Sequence, residues 1–252
     1  MPALLREFAR YGTEAFEIDV VSATPVYERE KLLERHDATA AGDRVRQVEA
    51  SYTVPGVLER LEPHGYDNIV LLASERLEKE DQADATTVLA YLMLGGLLPR
   101  KAPGPRVFVE LLEEENLFLF DKSREDVIVS PLAVSYLLSQ VALRRELGPI
   151  FTELSRPWGA QIVLQPAEDY LTTNGPVRFG DLDRAAARRG EIALGFRLTQ
   201  GGLVLNPERD TDWVLAAGDS VVVLTSYTER DLAGLAVPNA VSVTRSQSHS
   251  EK

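Results

Sequence analysis

Two short apolar strands, each followed by a run of acidic residues, constrain the fold of this chain more than any other feature. The first strand spans residues 68–73 and the second spans residues 106–110. The segment between them is long enough for a helix, and a strand–helix–strand unit of this kind places its two strands in parallel. The carboxyl ends of such strands open on one crevice, where open α/β sheets bind ligands. The sequence therefore predicts a ligand crevice at this edge of the sheet.

Acidic residues at the two strand ends form the candidate site. Glu110 ends the second strand, and Glu113 follows it by one helical turn. Glu75 lies just past the first strand, and Asp84 begins the next helix. Calcium takes six to eight oxygen ligands, so carboxylates that converge here suit a hard cation better than a phosphate. We expect these four residues to be the metal-ligand candidates.

The competing interpretation of these acids is that they cap helix N-termini, where a negative charge is stabilising. For Asp84 we favour capping over metal ligation. Glu110 is the strongest metal candidate, because a carboxylate at the crevice edge of a central strand is costly to bury unless it is paired. The other acids nearby are expected to be solvated surface residues.

Composition narrows the classes of function. The chain has 252 residues, 44% of them hydrophobic and 26% charged, which is enough for two globular domains. The formal net charge of −12 argues against nucleic-acid binding, which needs a basic surface facing the phosphates. The chain contains no cysteine, which excludes disulfides and thiolate metal sites and fits a cytosolic compartment.

Strands and helices alternate along the first part of the chain. This order predicts an α/β fold over residues 1–157, a Rossmann-like doubly wound parallel sheet. The pattern changes at residues 157–159, and a hairpin turn at residues 200–202 lies between two short strands. We therefore expect a smaller α+β C-terminal domain over residues 158–228 and a polar tail over residues 229–252.

The phosphate-binding turn of a dinucleotide-binding sheet is missing. No G-x-G-x-x-G motif is present, and the chain begins on what is predicted to be the first helix. The strand at residues 16–20 would then be the second strand of the sheet. Ser22 and Ala23 stand at its end, where an acid would bind a ribose hydroxyl. NAD or another nucleotide is therefore not expected to bind this chain, and we favour a fragment that lacks the first strand over a chain that never had it.

Hydrolase chemistry is not indicated either. Ser74 and Ser130 follow strands, but no G-x-S-x-G motif surrounds either of them, and no histidine is placed to act as a base. We predict that the chain is not an enzyme.

A series of segments in a fixed order resembles one family. Residues 109–113 match the family's strand that ends in glutamate and reaches an acid three residues later, here Glu110 and Glu113. The other segments are residues 66–75, 84–92, 126–130, 149–154, 165–171, 192–198, 205–208 and 217–224. Together they cover about residues 3–226 and resemble the RCK (TrkA-N-type) regulatory domain of the Castor/Pollux ion-channel family.

The resemblance implies a cytosolic gating-ring domain that senses a ligand and regulates a cation channel. Calcium is among the ligands of that family, and nucleotides bind related domains. Such domains self-associate into dimers and into tetrameric or octameric rings beneath a membrane pore domain, which is absent from this chain. The chain would then be the cytoplasmic, soluble part of a membrane channel.

The helix predicted at residues 130–145 is apolar on more than one side, so it is either fully buried or part of an interface. With the break at residues 148–149 it resembles the helix–turn–helix through which gating domains pair. The alternative is an ordinary buried crossover helix.

Two other functions compete with the gating-ring interpretation. The first is an NAD(P)-dependent oxidoreductase built on the same sheet. The second is a nucleotide-sensing subunit of a potassium transport system that carries out no chemistry.

Overall fold

The computed structural model describes residues 2–10, 17–36, 45–54, 56–73, 80–98, 104–120, 125–156, 158–171, 175–199 and 202–227. These form two compact units, one ending at Arg145 and the other beginning at Glu146. The predicted boundary at residues 157 and 158 remains a prediction, and the predicted polar tail lies outside the described residues. No helix in the described part of the chain combines the length and apolar character needed to cross a membrane.

The first unit alternates strands and helices, as predicted. Its elements are α1 (Pro2–Arg10), β1 (Ile18–Ser22), α2 (Val26–Arg35), β2 (Val45–Glu49), α3 (Val57–Arg60), β3 (Asn68–Leu71), α4 (Glu80–Leu97), β4 (Arg106–Leu111), β5 (Glu125–Val129) and α5 (Ser130–Leu143). The helix predicted near residues 113–119 is a 3-10 helix, Glu114–Leu119.

Parallel pairing organises the five strands of this unit. β1 pairs with β2, and β4 pairs with β3 on one side and with β5 on the other. The predicted parallel pair is confirmed, since Asn68 lies opposite Arg106 and Leu71 opposite Val109. Among the described strands no pairing joins β1 to β3. The Rossmann-like α/β class is confirmed. Its described strands form two separate parallel sheets, β1-β2 and β3-β4-β5.

A side-chain cluster on Asp19 links these two parts. Arg46 of β2 donates from Nε to Asp19 Oδ1 at 2.8 Å, and the hydroxyl of Tyr66, just before β3, donates to Asp19 Oδ2. The hydrogen bond from Arg46 outweighs burial and holds the pKa of Asp19 below its usual value. The cluster therefore joins the β1–β2 sheet to the segment that enters β3.

The core of the first unit lies between β4 and α4. Alternate residues of β4 are buried, namely Val107, Val109 and Leu111, because successive side chains of a strand point to opposite faces. Ala90 and Leu94 of α4 pack against them with helical spacing. This packing holds β4 against α4.

The second unit is the predicted smaller α+β fold. Its elements are α6 (Leu147–Leu154), β6 (Gly159–Pro166), β7 (Val177–Arg178), α7 (Phe179–Arg188), β8 (Ile192–Arg197), β9 (Leu203–Leu205), β10 (Asp212–Trp213) and β11 (Ser220–Tyr227). The strand order β6-β11-β8-β9 forms an antiparallel sheet. The short β7–β10 pair was not predicted, since two-residue strands carry no periodicity.

One face of this antiparallel sheet carries the core of the second unit. Val221 and Val223 of β11 and Phe196 of β8 are buried against α7, which contributes Leu182 and Ala186. The ring of Trp213 meets that of Phe196 edge-on, with centroids 4.7 Å apart. On the opposite face of the sheet Val222 at the centre is buried, and five side chains around it are exposed, namely Ile162, Leu164, Ile192, Leu203 and Leu205.

We predict that Gly195→Ala destabilises the second unit by about 2 kcal/mol. A Cβ at Gly195 would lie 2.0 Å from the carbonyl oxygen of Val204, so β8 and β9 would have to separate. Urea unfolding followed by tryptophan fluorescence measures this, because both tryptophans, Trp158 and Trp213, lie in this unit. Gly175→Ala is the matched control, since nothing lies within 4 Å of its Cβ position. Equal stability of the two variants would contradict the prediction.

Candidate functional site

Glu110 lies near the carboxyl end of β4, the middle strand of the β3-β4-β5 sheet, and is half-buried there. Its carboxylate is held on both sides. The backbone N–H of Ala73, just past β3, donates to Oε2 at 3.1 Å, and the hydroxyl of Ser130 donates to Oε1. Since Ser130 is the first residue of α5, one side chain joins the ends of two neighbouring strands to that helix.

These contacts leave Glu110 able to bind something else. An ionised carboxylate offers about four lone-pair positions on its two oxygens, and two hydrogen bonds use only part of that capacity. A cation at this point could bind the remaining positions or replace the Ser130 hydroxyl. The Glu110 carboxylate therefore has hydrogen-bond partners among the described residues and still has acceptor positions that these partners do not use.

Asp84 is used differently. Its side chain is buried in α4, with 1% of its surface exposed. It accepts hydrogen bonds from the backbone N–H of Leu112 at 2.8 Å, from that of Glu113 at 3.0 Å and from the Asn116 amide at 2.8 Å. The two backbone donors lie between β4 and the 3-10 helix Glu114–Leu119, and Asn116 lies within that helix. Asp84 thus caps this turn. It lies in the second turn of α4, which begins at Glu80, so it does not begin that helix as the sequence suggested.

The remaining predicted ligands are only partly described. Glu113 lies beside Asp84 through its backbone N–H, and its side chain is half-buried. Glu75 lies outside the described residues. In the described ranges no group of three or more aspartate, glutamate or histidine side chains is arranged to hold a metal ion. The four-residue metal site stays a prediction.

Two residues of this site were not identified from the sequence. Ser130 was considered only as a serine that follows a strand, and the partner of its hydroxyl is Glu110. The available signal was its position directly after β5, because the ends of neighbouring parallel strands meet at one edge. Asn116 gave no such signal, since its contact with Asp84 depends on a turn that periodicity does not reveal.

The helix that starts at Ser130 exposes its apolar side chains. None of the residues of α5 is buried in the single chain, and Leu138 is 64% exposed. Tyr136, Leu137 and Leu143 are exposed as well. The interpretation of α5 as a fully buried crossover helix is therefore wrong for the single chain. Soluble proteins seldom leave such a stripe uncovered, which indicates an interface.

Comparison with known proteins confirms the family resemblance. No protein-family model matches the chain. "Ion channel POLLUX" of Lotus japonicus is 25% identical over an alignment of 263 positions. The alignment covers 90% of this chain and 28% of that protein. "Ion channel CASTOR" of the same plant is 25% identical over 201 residues, which cover 67% of this chain and 23% of that protein. The chain thus spans less than a third of these relatives, which are named ion channels and not enzymes, in agreement with the predicted lack of enzyme activity.

Comparison with solved structures confirms the fold. The human SLO3 gating ring superimposes with a TM-score of 0.60 at 11% sequence identity, covering 90% of this chain and 43% of that chain. The GsuK channel bound to NAD matches with a TM-score of only 0.35 at 13% identity, over 86% of this chain and 38% of that one. The second match is too loose to support a structural argument.

We predict that Asp84→Asn lowers the free energy of unfolding of the first unit by about 1–3 kcal/mol in the presence of a calcium chelator. An asparagine has one oxygen in place of two, so at least one donor of the turn loses its acceptor. Urea unfolding followed by far-ultraviolet circular dichroism measures the change, and Glu114→Gln, an exposed position of the same turn, is the control. A loss of stability seen only when calcium is present would contradict the capping role.

Proposed function

We propose that this chain is a cytosolic, ligand-sensing domain of a gating ring that regulates a cation channel, and that its ligand is calcium. The observation that carries the proposal is the position of Glu110 between the crevice and α5. The likeness to POLLUX and CASTOR over most of the chain supports a role within a channel. The pore itself would belong to a separate membrane domain.

The proposed ligand set is centred on Glu110. Glu113 and Glu75 are the companions that the sequence suggests, and backbone carbonyls at the strand ends can supply further oxygens, as calcium requires. Asp84 accepts a hydrogen bond from the backbone N–H of Glu113, so it helps to position this proposed ligand without binding the cation itself. Its three hydrogen bonds leave it the weakest candidate for direct ligation.

The proposed mechanism depends on competition for the Glu110 carboxylate. Without a cation, Glu110 accepts a hydrogen bond from Ser130 and holds the first turn of α5 at the strand ends. When Glu110 shares its oxygens with a cation, that hydrogen bond weakens and the repulsion among the neighbouring acids falls. The start of α5 can then shift, and with it the angle between two domains paired through this helix.

A ligand can move this equilibrium only by the difference between its affinities for the two arrangements. The proposal therefore requires calcium to bind more tightly when the Glu110–Ser130 hydrogen bond is broken. It also requires α5 to lie at an interface between domains, so that a shift of its first turn changes the assembly.

We expect calcium titration by calorimetry to give a heat of binding at up to millimolar calcium, and Glu110→Gln to weaken that binding by roughly tenfold or more. Glutamine keeps the shape of the side chain but removes the charge. Glu115→Gln, an exposed acid a short distance along the chain, is the control and should bind as the wild type does. NAD titrated in the same way tests the nucleotide-sensing alternative.

If the folded, assembled wild type gives no heat of binding at millimolar calcium, the calcium assignment is wrong. Heat with NAD and none with calcium would favour a nucleotide sensor. Turnover of a nicotinamide cofactor would instead favour an oxidoreductase.

We further expect Leu138→Lys to weaken self-association of the full chain by roughly tenfold or more, because a charge would be buried in the α5 interface. Analytical ultracentrifugation measures the assembly mass over a range of concentrations. Val54→Lys, an exposed apolar position in the loop after β2, is the matched control. An unchanged mass distribution for Leu138→Lys would remove α5 from the proposal and leave calcium binding to be judged separately.

A further inference from the structure

The helix α4 is apolar on two sides. One side is buried in the core of the first unit, at Ala83, Ala90 and Leu94. The other side is open to water, since Leu89 is 46% exposed and Leu92 is 62% exposed. A helix side that faced only water would carry mostly polar and charged residues. The exposed side of α4 therefore has the composition of a contact surface.

This side of α4 forms one wall of a groove, which we call the α4 groove. The other wall is the 3-10 helix Glu114–Leu119. The groove has a volume of about 470 Å³. Its lining residues are Ala85, Val88, Leu89 and Leu92 of α4 and Asn116 and Leu119 of the 3-10 helix.

The shape of the α4 groove suits a helix. Its four lining residues on α4 have the spacing i, i+3, i+4 and i+7, which is one stripe along a helix. From Ala85 to Leu92 this stripe runs for about 10 Å, at about 1.5 Å per residue. A small-molecule pocket encloses most of its ligand, whereas Leu89, Leu92 and Leu119 are all exposed here. An open apolar groove of this kind matches the apolar side of an amphipathic helix, whose side chains recur at the same spacing.

The two walls of the groove belong to acidic elements. α4 contains three acids and the 3-10 helix contains two, and neither element contains a lysine or an arginine. Glu114 and Glu115 are exposed. The groove of a second copy of this chain would bring the same acids together and be repelled, whereas lysines and arginines beside an apolar stripe would be attracted. Charge therefore favours a basic partner.

We propose that the α4 groove binds a basic amphipathic helix of another protein. Apolar side chains of that helix would fill the groove, and its lysines and arginines would face the acidic walls. The only polar lining residue, Asn116, donates its side-chain amide to Asp84 at 2.8 Å, so the aspartate that caps the turn also holds this wall. None of the lining residues is a predicted calcium ligand, so the proposal stands or falls independently of calcium binding at Glu110.

The test uses the full chain and a fluorescein-labelled peptide of leucine and lysine, with its leucines at the spacing of the groove. A length of about 14 residues gives the peptide about four helical turns. Fluorescence anisotropy measures its binding. We expect a Kd in the micromolar range, and binding weaker by roughly tenfold or more for a peptide in which glutamate replaces every lysine.

Leu92→Gln should weaken binding of the leucine–lysine peptide by roughly tenfold, because it removes apolar contact from a wall of the groove without adding charge. Leu4→Gln is the matched control, since Leu4 is an exposed leucine of α1 in the same unit and does not line the groove. Circular dichroism checks that each variant is folded, and Leu89→Gln replaces Leu92→Gln if the latter does not fold.

Several results would overturn the proposal. One is the absence of peptide binding to the wild type at high micromolar protein. Another is binding of the leucine–lysine peptide that is equal in the wild type and Leu92→Gln, or that is no stronger than binding of the leucine–glutamate peptide. A lower assembly mass for Leu92→Gln than for Leu4→Gln in analytical ultracentrifugation would also overturn it, and would assign the groove to a second copy of the chain.

Discussion

The pairing of β4 with β3 on one side and β5 on the other brings together the groups that hold Glu110. Parallel strands in register end at the same level, so the residues after β3, at the end of β4 and after β5 become neighbours although they are far apart in sequence. Glu110 then meets the backbone of Ala73 and the hydroxyl of Ser130. The burial of Val109 and Leu111 against α4 holds this edge in place.

Two carboxylates at this edge have different energetic roles because their surroundings differ. Asp84 is buried and accepts three hydrogen bonds from the turn after β4, so its charge is committed to that turn. Glu110 is half-buried and accepts two, one of them from a side chain that can rotate away. A site that responds to a ligand needs a group of the second kind, held well enough to be positioned and loosely enough to exchange a partner.

Apolar surface left uncovered by the single chain is the other main feature. α5 in the first unit exposes apolar side chains, and so do strands of the second unit's four-stranded sheet, at Ile162, Leu164, Ile192, Leu203 and Leu205. Removing apolar surface from water is favourable, so further packing on either surface would be stabilising.

The sequence alone determined the class of fold, the parallel order of β3 and β4 and the candidate acids, because all three follow from local patterns. The periodicity of strands and helices depends on neighbouring residues. Two strands joined by a helix form a parallel pair. Tertiary structure decided the role of each acid. Asp84 caps the turn after β4, and Glu110 bridges the strand ends to α5, because elements that are far apart in sequence pack together. It also decided that α5 is exposed in the single chain, because exposure depends on which elements pack together and no local pattern specifies that.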